Sequence, residues 1–434
     1  MMSFLFTKTP LLFLVQSFWR DEAFTYILAK KSIPEIIYLT SMDFNPPIYY
    51  ILVHFWTKIF GSSEISIRSI SFVFYWLTLY VVYLFLKNVF NFSKVKIIVY
   101  VLLTALNPFL IYYAFEARMY SLLAFIAALS FYAFITKKNK LYLISTLLGL
   151  YIHYFMVFTI FVQAVYKYII HRKKKFTLSI FKNQILLALL FLPWLLYVSA
   201  HKSFLPAYFW IEKPTIKTIL NFLFTTFTGS DKLLGVYFDY GILVSALFLT
   251  IIIVGAIKIK KTAKHNHLLL LLWSTGIPVL LIAVSYFIKP VYYPRYFIFC
   301  SVGLILLLAV SSEALPRIIK YIIVILLFTF SLHYQNYLVK YQKKSDYRRL
   351  YHEIKSLLKP QDEVYVTSEL DYFTAQYYID EYKVYIYGKS HEELPDYVGK
   401  ILIPKNRLRY SLPRYPKKAF VITSDSQYDI RALF

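Results

Sequence analysis

The sequence predicts a mainly α, polytopic membrane protein of about eleven transmembrane helices with a small C-terminal α/β domain outside the bilayer. Three observations predict it. Hydrophobic residues make up 59% of the 434-residue chain and charged residues only 16%, against about 25% charged in soluble domains. Apolar runs of spanning or near-spanning length recur through residues 1–340 and then give way to alternating strand and helix patterns. Basic clusters alternate between the runs with acidic, aromatic-rich segments. The net charge of +25 is scattered in this way rather than gathered on one face. That fits cytoplasmic loops and the headgroups of membrane lipids, and it argues against a nucleic-acid partner. The single cysteine, Cys300, lies in an apolar run, so no disulfide framework forms within one chain.

Taken in order, residues 3–18 read as a short first span rather than a cleavable signal, because a basic leader and a small-residue cleavage site are lacking. Further runs occupy 69–86, 95–113, 119–135, 141–170, 185–199, 240–257, 267–288, 296–310 and 318–337. The 141–170 run is too long for one span and short for two. It is flanked by Lys137/Lys138/Lys140 and Arg172/Lys173/Lys174/Lys175. The positive-inside rule puts both clusters in the cytoplasm, with Lys87/Lys94/Lys96 and Lys258/Lys260/Lys261/Lys264. The run is therefore expected to be a hairpin of two short helices turning outside near His153-Tyr154. Parity then places outside the loop 19–68, the loop 201–239, the turn 289–295 and the C-terminal tail. Segments 33–39, 48–60 and 216–227 are apolar but too short to cross, and they suit helices lying in the interface. Beyond Tyr341, 346–358 has a helical stripe, 363–367, 383–387 and 418–422 read as strands, and 370–379 as helix. A soluble α/β domain over 341–434 follows.

Chemistry is expected where ionisable residues stand at the outer ends of spans. Asp21-Glu22 comes directly after the first run. A carboxylate there suits proton abstraction from an acceptor, or a cation held against a phosphate, with a solvated helix end as the plain alternative. In Asp43-Phe44-Asn45-Pro46-Pro47-Ile48-Tyr49-Tyr50 the prolines keep the chain extended, which aims Asp43 and Asn45 at a cavity or makes a simple turn. Glu64 and Arg68 lie four apart on one helix face, as an ion pair or with Arg68 on a phosphate. Glu116-Ala117-Arg118-Met119-Tyr120 fills a short outer turn, as a mutual ion pair or as a metal or phosphate site. His153 sits at the hairpin turn, where an imidazole serves a metal, a phosphate or only the interface. Arg295, in Tyr292-Tyr293-Pro294-Arg295-Tyr296, precedes a span where a guanidinium pairs well with a lipid-linked phosphate. Glu212-Lys213 and Asp231-Lys232 are weaker candidates.

With these motifs in this order, the chain resembles the GT-C class of integral-membrane glycosyltransferases. The likeness is to bacterial and archaeal relatives of the dolichyl-phosphate-mannose protein mannosyltransferases and of the aminoarabinose lipid A transferases. It covers roughly residues 1–340. It implies a GT-C-like catalytic domain that moves one sugar, with inversion, from a polyprenyl-phosphate-linked donor to a protein, lipid or glycan acceptor on the outer face of the plasma membrane. It makes Asp21 the catalytic base or an acceptor-binding carboxylate, with Glu22 and Asp43 in support. It makes Asp43, Asn45, Tyr49, Glu64, Arg68, Arg118, Tyr120, Tyr293, Arg295 and Tyr296 substrate-binding. Glu116 and His153, with Asp21 or Asp43, are the positions it offers to a divalent metal, Mg2+ or Mn2+. Two other classes stand beside it. A transporter or flippase for a lipid-linked glycan would place charges at mid-span within inverted repeats, and no repeat is found. A metal-independent glycan ligase would carry its large outer loop late in the chain.

Overall fold

The computed structural model describes residues 2–171, 181–201, 210–230, 235–423 and 427–434. The expectations at Arg172, Lys173, Lys174, Lys175, Asp231 and Lys232 lie outside the described residues. The chain starts with two short helices, α1 (Met2–Lys8) and α2 (Leu12–Val15), in place of the expected span over 3–18. Pro10 stands between them, and its missing amide hydrogen and fixed ring interrupt a helix. Then come α3 (Arg20–Ala29), α4 (Ile33–Ser41) and α5 (Ile48–Phe60), the last two at the positions read as interfacial. The first long helix is α6 (Glu64–Leu84), prolonged by a π-helical turn to Val89. Helices α7 (Lys94–Ala105) and α8 (Pro108–Ala114) meet at 61°. Asn107 makes that corner: its side chain accepts the Leu110 amide at 3.0 Å and caps the new helix.

Helix α9 (Tyr120–Ile135) follows, then α10 (Asn139–Leu150) and α11 (Met156–His171), the expected hairpin, with its turn at 151–155. The rest of the bundle is α12 (Lys182–His201), α13 (Ile216–Leu220), α14 (Phe222–Thr228), α15 (Gly235–Lys258), α16 (Lys264–Leu271), α17 (Ile277–Phe287), α18 (Ile298–Glu313) and α19 (Arg317–Tyr341). Among the described residues, six helical segments are long and apolar enough to cross a membrane, or seven if the bent α7–α8 pair is one span. The expected eleven also counted 3–18 and the shorter α9, α10 and α11.

Helix α18 is the hub, buried along nearly its whole length against α9, α15 and α16. Its neighbour α15 approaches closely at Gly255, where an added Cβ would meet the Ser311 Cβ at 2.5 Å. Helices α6, α9 and α18 begin beside the acidic and arginine motifs and run toward the loops that hold the lysine clusters. Candidate chemistry and basic loops therefore occupy opposite ends of the bundle, as the charge pattern requires.

After α19 the chain builds α20 (Tyr347–Leu357), β1 (Glu363–Val366), α21 (Tyr372–Tyr378), β2 (Val384–Tyr387), β3 (Leu408–Arg409), β4 (Ala419–Ile422) and β5 (Tyr428–Arg431). The sheet order is β3-β2-β1-β4-β5, parallel except for the antiparallel β4–β5 pair. This unit rests on the first loop. Arg20 pairs with Asp371 at 3.4 Å, Lys30 with Glu381 at 3.5 Å and Arg348 with Glu64 at 2.8 Å. The rings of Phe24 and Phe373 meet edge-on at 5.3 Å.

Candidate active site

Helix α3 enters from an extended Trp19 and carries Asp21 and Glu22 in its first turn, where the helix dipole favours carboxylates. The adjacent pair has split fates. Glu22 is fully buried, and both its oxygens bond Arg68 at 2.7 Å. It also accepts the Ala117 amide at 2.9 Å and the Lys344 ammonium at 2.8 Å. Arg68 spends its remaining donors on the carbonyls of Leu14, Gln16 and Ser17. Burial opposes charge on Glu22, but Arg68 and Lys344 outweigh it and hold the carboxyl well below its ordinary range. Glu22 and Arg68 thus tie α3 to α6 and leave no group for a substrate. The expected pairing of Glu64 with Arg68 is not made either: Glu64 accepts from Arg348 and from the Tyr378 hydroxyl at 2.7 Å. Tyr49 is buried in the core at 1% exposure and reaches none of the cavities below. Of the residues expected to bind substrate, Glu64 and Arg68 thus stand in ion pairs that hold the loop in place, and Tyr49 packs in the core.

Asp21 points the other way and remains one-third exposed. Its Oδ2 accepts from Arg295 Nη1 at 2.9 Å. Burial raises its proton affinity, but the guanidiniums of Arg118 and Arg295 win and hold the carboxyl below its usual range. Arg118 does not pair with Glu116; it donates to the Asp21 carbonyl and the Thr25 hydroxyl, both at 3.3 Å. Arg295 stands within 6.0 Å of the ring centroids of Tyr120, Trp210, Tyr293 and Tyr296, a cage that fixes its guanidinium by cation–π contact.

Three cavities meet at Arg295. A polar one of about 110 Å3 holds Asp21, Asp43, Asn45 and Arg118, and its roof is Phe373, Tyr397 and Gly399 of the C-terminal unit. An apolar one of about 480 Å3 shares Asp43, Phe44, Asn45, Arg118 and Tyr296 with it. That cavity runs past Tyr120 and His153 to Val157, Phe191 and Leu195 of α11 and α12. A small third one of about 50 Å3 holds Trp19 and Glu116. His153 accepts the Phe155 amide on Nδ1 at 3.1 Å, and burial first, then the two arginines, push its pKa down to about 3. The ring is neutral and carries its proton on Nε2.

Glu116 is 2% exposed, and among the described residues its Oε1 has no hydrogen-bond partner. Burial, aided by the charges of Glu22 and Asp21 and opposed by Lys344 and Arg295, pushes its pKa up to about 7 from 4.5. A raised carboxyl pKa costs stability as pH climbs from the unfolded value through the folded one, on the order of 3 kcal/mol once both states are ionised. Glu116→Gln is therefore expected to melt higher than the wild type above about pH 7 and at the same temperature near about pH 4. Equal melting curves at both values would remove the buried-carboxyl assignment.

Among the described residues, no three of His, Cys, Asp and Glu gather as a metal-holding group. Glu116 and His153 line different cavities, and Asp21 commits an oxygen to Arg295. Of the positions expected to hold a metal, Asp43 and His153 line one cavity and Glu116 another. Lys344, Trp210, Phe373 and Tyr397 were not foreseen as site residues. Lys344 sits in an ordinary polar stretch, and only its contact with a carboxylate 322 residues earlier marks it.

A family model described as dolichyl-phosphate-mannose-protein mannosyltransferase matches residues 45–197, which includes Asn45, Glu116, Arg118 and His153. Among solved structures, ArnT from Cupriavidus metallidurans in the apo state matches with TM-score 0.52 and 12% identity, over 95% of this chain and 91% of that one. The chain shares the fold of ArnT. A structure of ArnT bound to undecaprenyl phosphate matches with TM-score 0.49 and 12% identity, over 98% of this chain and 93% of that one. No curated protein sequence is significantly similar to the chain. The match to ArnT covers 95% of the chain, well beyond the segment 45–197 that the family model covers. The chain thus resembles the GT-C membrane glycosyltransferases, as its motifs indicated.

Proposed function

We propose that the protein transfers one sugar from a polyprenyl-phosphate-linked donor to an acceptor hydroxyl or amine, with inversion, on the extracytoplasmic side of the plasma membrane. The observation that carries this reading is the junction at Asp21, Arg118 and Arg295, where a polar cavity opens into a large apolar one. The apolar cavity ends at α11 and α12, whose outer faces expose Val157 and Leu195. A polyprenyl tail enters there from the bilayer, its phosphate meets Arg118 and Arg295, and its sugar lies over Asp21. The acceptor comes through the polar cavity beneath Phe373 and Tyr397. The acceptor heteroatom attacks the anomeric carbon, the carbon–oxygen bond to phosphate breaks, and the electron pair leaves on the lipid phosphate. The arginines neutralise that developing charge. Asp21 takes the acceptor's proton through Oδ1, which accepts no hydrogen bond among the described residues. Glu22 positions Asp21 through the rigid first turn of α3. No step here runs through a metal.

The family model supports the donor class by its description, and the ArnT-like fold supports the arrangement. The test is transfer from defined polyprenyl-phosphate sugars by purified protein in lipid, with and without EDTA. Arg295→Ala is expected to raise the donor KM by about tenfold to a hundredfold, the worth of a charge-assisted contact. An unchanged donor KM would remove Arg295 from phosphate binding.

A further inference from the structure

We propose that the basic end of the helix bundle carries a second binding site, for the phosphate headgroup of an anionic membrane phospholipid. The site is a cavity of about 550 Å3 at the far ends of α6, α15 and α18 from Asp21. Its floor is apolar, formed by Phe90, Phe92, Ile259 and Val310. Phe90 and Phe92 lie 5.8 Å apart on either side of Asn91, whose φ of 53° turns the chain sharply enough to bring both rings to the same cavity. Its rim is cationic, formed by Lys258 and Lys260.

The charges decide the class of ligand. Among the described residues, Glu313 is the only acid lining the cavity. It is already met by Lys96 at 2.6 Å, Lys320 at 3.3 Å and the Tyr100 hydroxyl at 3.1 Å. Lys258 and Lys260 are exposed, and among the described residues neither makes a hydrogen bond or ion pair. Lys258 closes the last turn of α15, where the helix dipole draws a cation. Lys260 lies beyond that helix, so the dipole does not account for it. Two unopposed amines over an aromatic and aliphatic floor, at the ends of membrane helices, fit a phosphodiester whose glycerol and first methylenes are buried. A free phosphate ion meets the same amines but has nothing to lay on the floor. The site does not depend on the transferase reading, since it shares no residue with the cavities at Arg295.

The experiment is native mass spectrometry of the full chain in micelles doped with equal phosphatidylglycerol and phosphatidylcholine. The wild type is expected to retain phosphatidylglycerol in preference by about tenfold, and the double variant Lys258→Glu/Lys260→Glu to lose the preference. Phe92→Ala is expected to weaken retention, read at a temperature where its melting curve shows the variant still folded, because Phe92 also packs against Tyr100. Arg295→Ala is expected to retain the lipid as the wild type does, which separates this site from the donor site. A wild type that takes both lipids equally overturns the proposal, as does a double variant that keeps the preference. Full displacement by millimolar inorganic phosphate, with Phe92→Ala behaving as wild type, assigns the site to the free ion and overturns the lipid.

Discussion

Asp21→Asn is expected to lower kcat by about a thousandfold, within the range lost with a positioned general base. The amide keeps the shape of the side chain but cannot take the acceptor's proton. The fold should survive, because Asp21 is one-third exposed and, among the described residues, its side chain bonds only Arg295. Donor binding should also survive, since Arg118 and Arg295 stay in place. The position of Arg295 adds a second expectation. In the free protein the two arginines hold the Asp21 carboxyl below its ordinary range, which makes it a weak base. A donor phosphate that draws Arg295 toward itself relieves Asp21 of part of that field and raises its proton affinity. The base is then strongest when a donor is bound, and steady-state kinetics should show the donor binding first. A variant turning over within tenfold of the wild type would end the assignment of Asp21 as base.

Arg68→Met is expected to destabilise the protein by about 3–5 kcal/mol, the cost of leaving one member of a buried ion pair alone. Arg68 and Glu22 are both wholly buried, and the guanidinium also binds three backbone carbonyls between Leu14 and Ser17. Methionine fills the volume but leaves Glu22 with Lys344 as its only charged partner. Glu22→Gln should cost a similar amount, because two cations then remain in the interior. The double variant should cost less than the two single changes added together, since residues in one buried network couple by about 0.5–3 kcal/mol. Thermal denaturation of all three variants in one detergent measures this. Additive losses, or a stable Arg68→Met, would mean that the pair does not bear the weight of the loop.

These contrasts show how far the residues alone could be read. Asp21, Arg118 and Arg295 stand out because ionisable groups at the ends of apolar runs are costly and so are conspicuous. Their meeting at one junction follows once the lysine clusters fix which ends face together. The hairpin around His153 was legible for the same reason. Partner choice was not. Spacing puts Glu64 and Arg68 on one helix face, yet Glu22 and Arg348 compete for them from elements far away in sequence, and the buried competitor wins. The run over 3–18 has the composition of a span, but composition carries no penalty for Pro10. In the C-terminal unit β1, β2 and β4 were readable as apolar runs. Strand β3 has two residues, and β5 is mostly exposed and polar, so neither leaves a hydrophobic signature. The roof over the polar cavity was hidden too, since Phe373 and Tyr397 read as ordinary core aromatics until the domain is docked.

The contact between Lys344 and Glu22 has a temporal side. A ribosome delivers Glu22 and Arg68 early, so their clasp can close while most of the polypeptide is still unmade. The third charge of that cluster arrives only after all the long helices have been produced, together with the α20 and α21 segments that hold Glu64 through Arg348 and Tyr378. Until those segments are made, Glu22 has Arg68 as its charged partner, and the polar cavity beside Asp21 lacks Phe373, Tyr397 and Gly399.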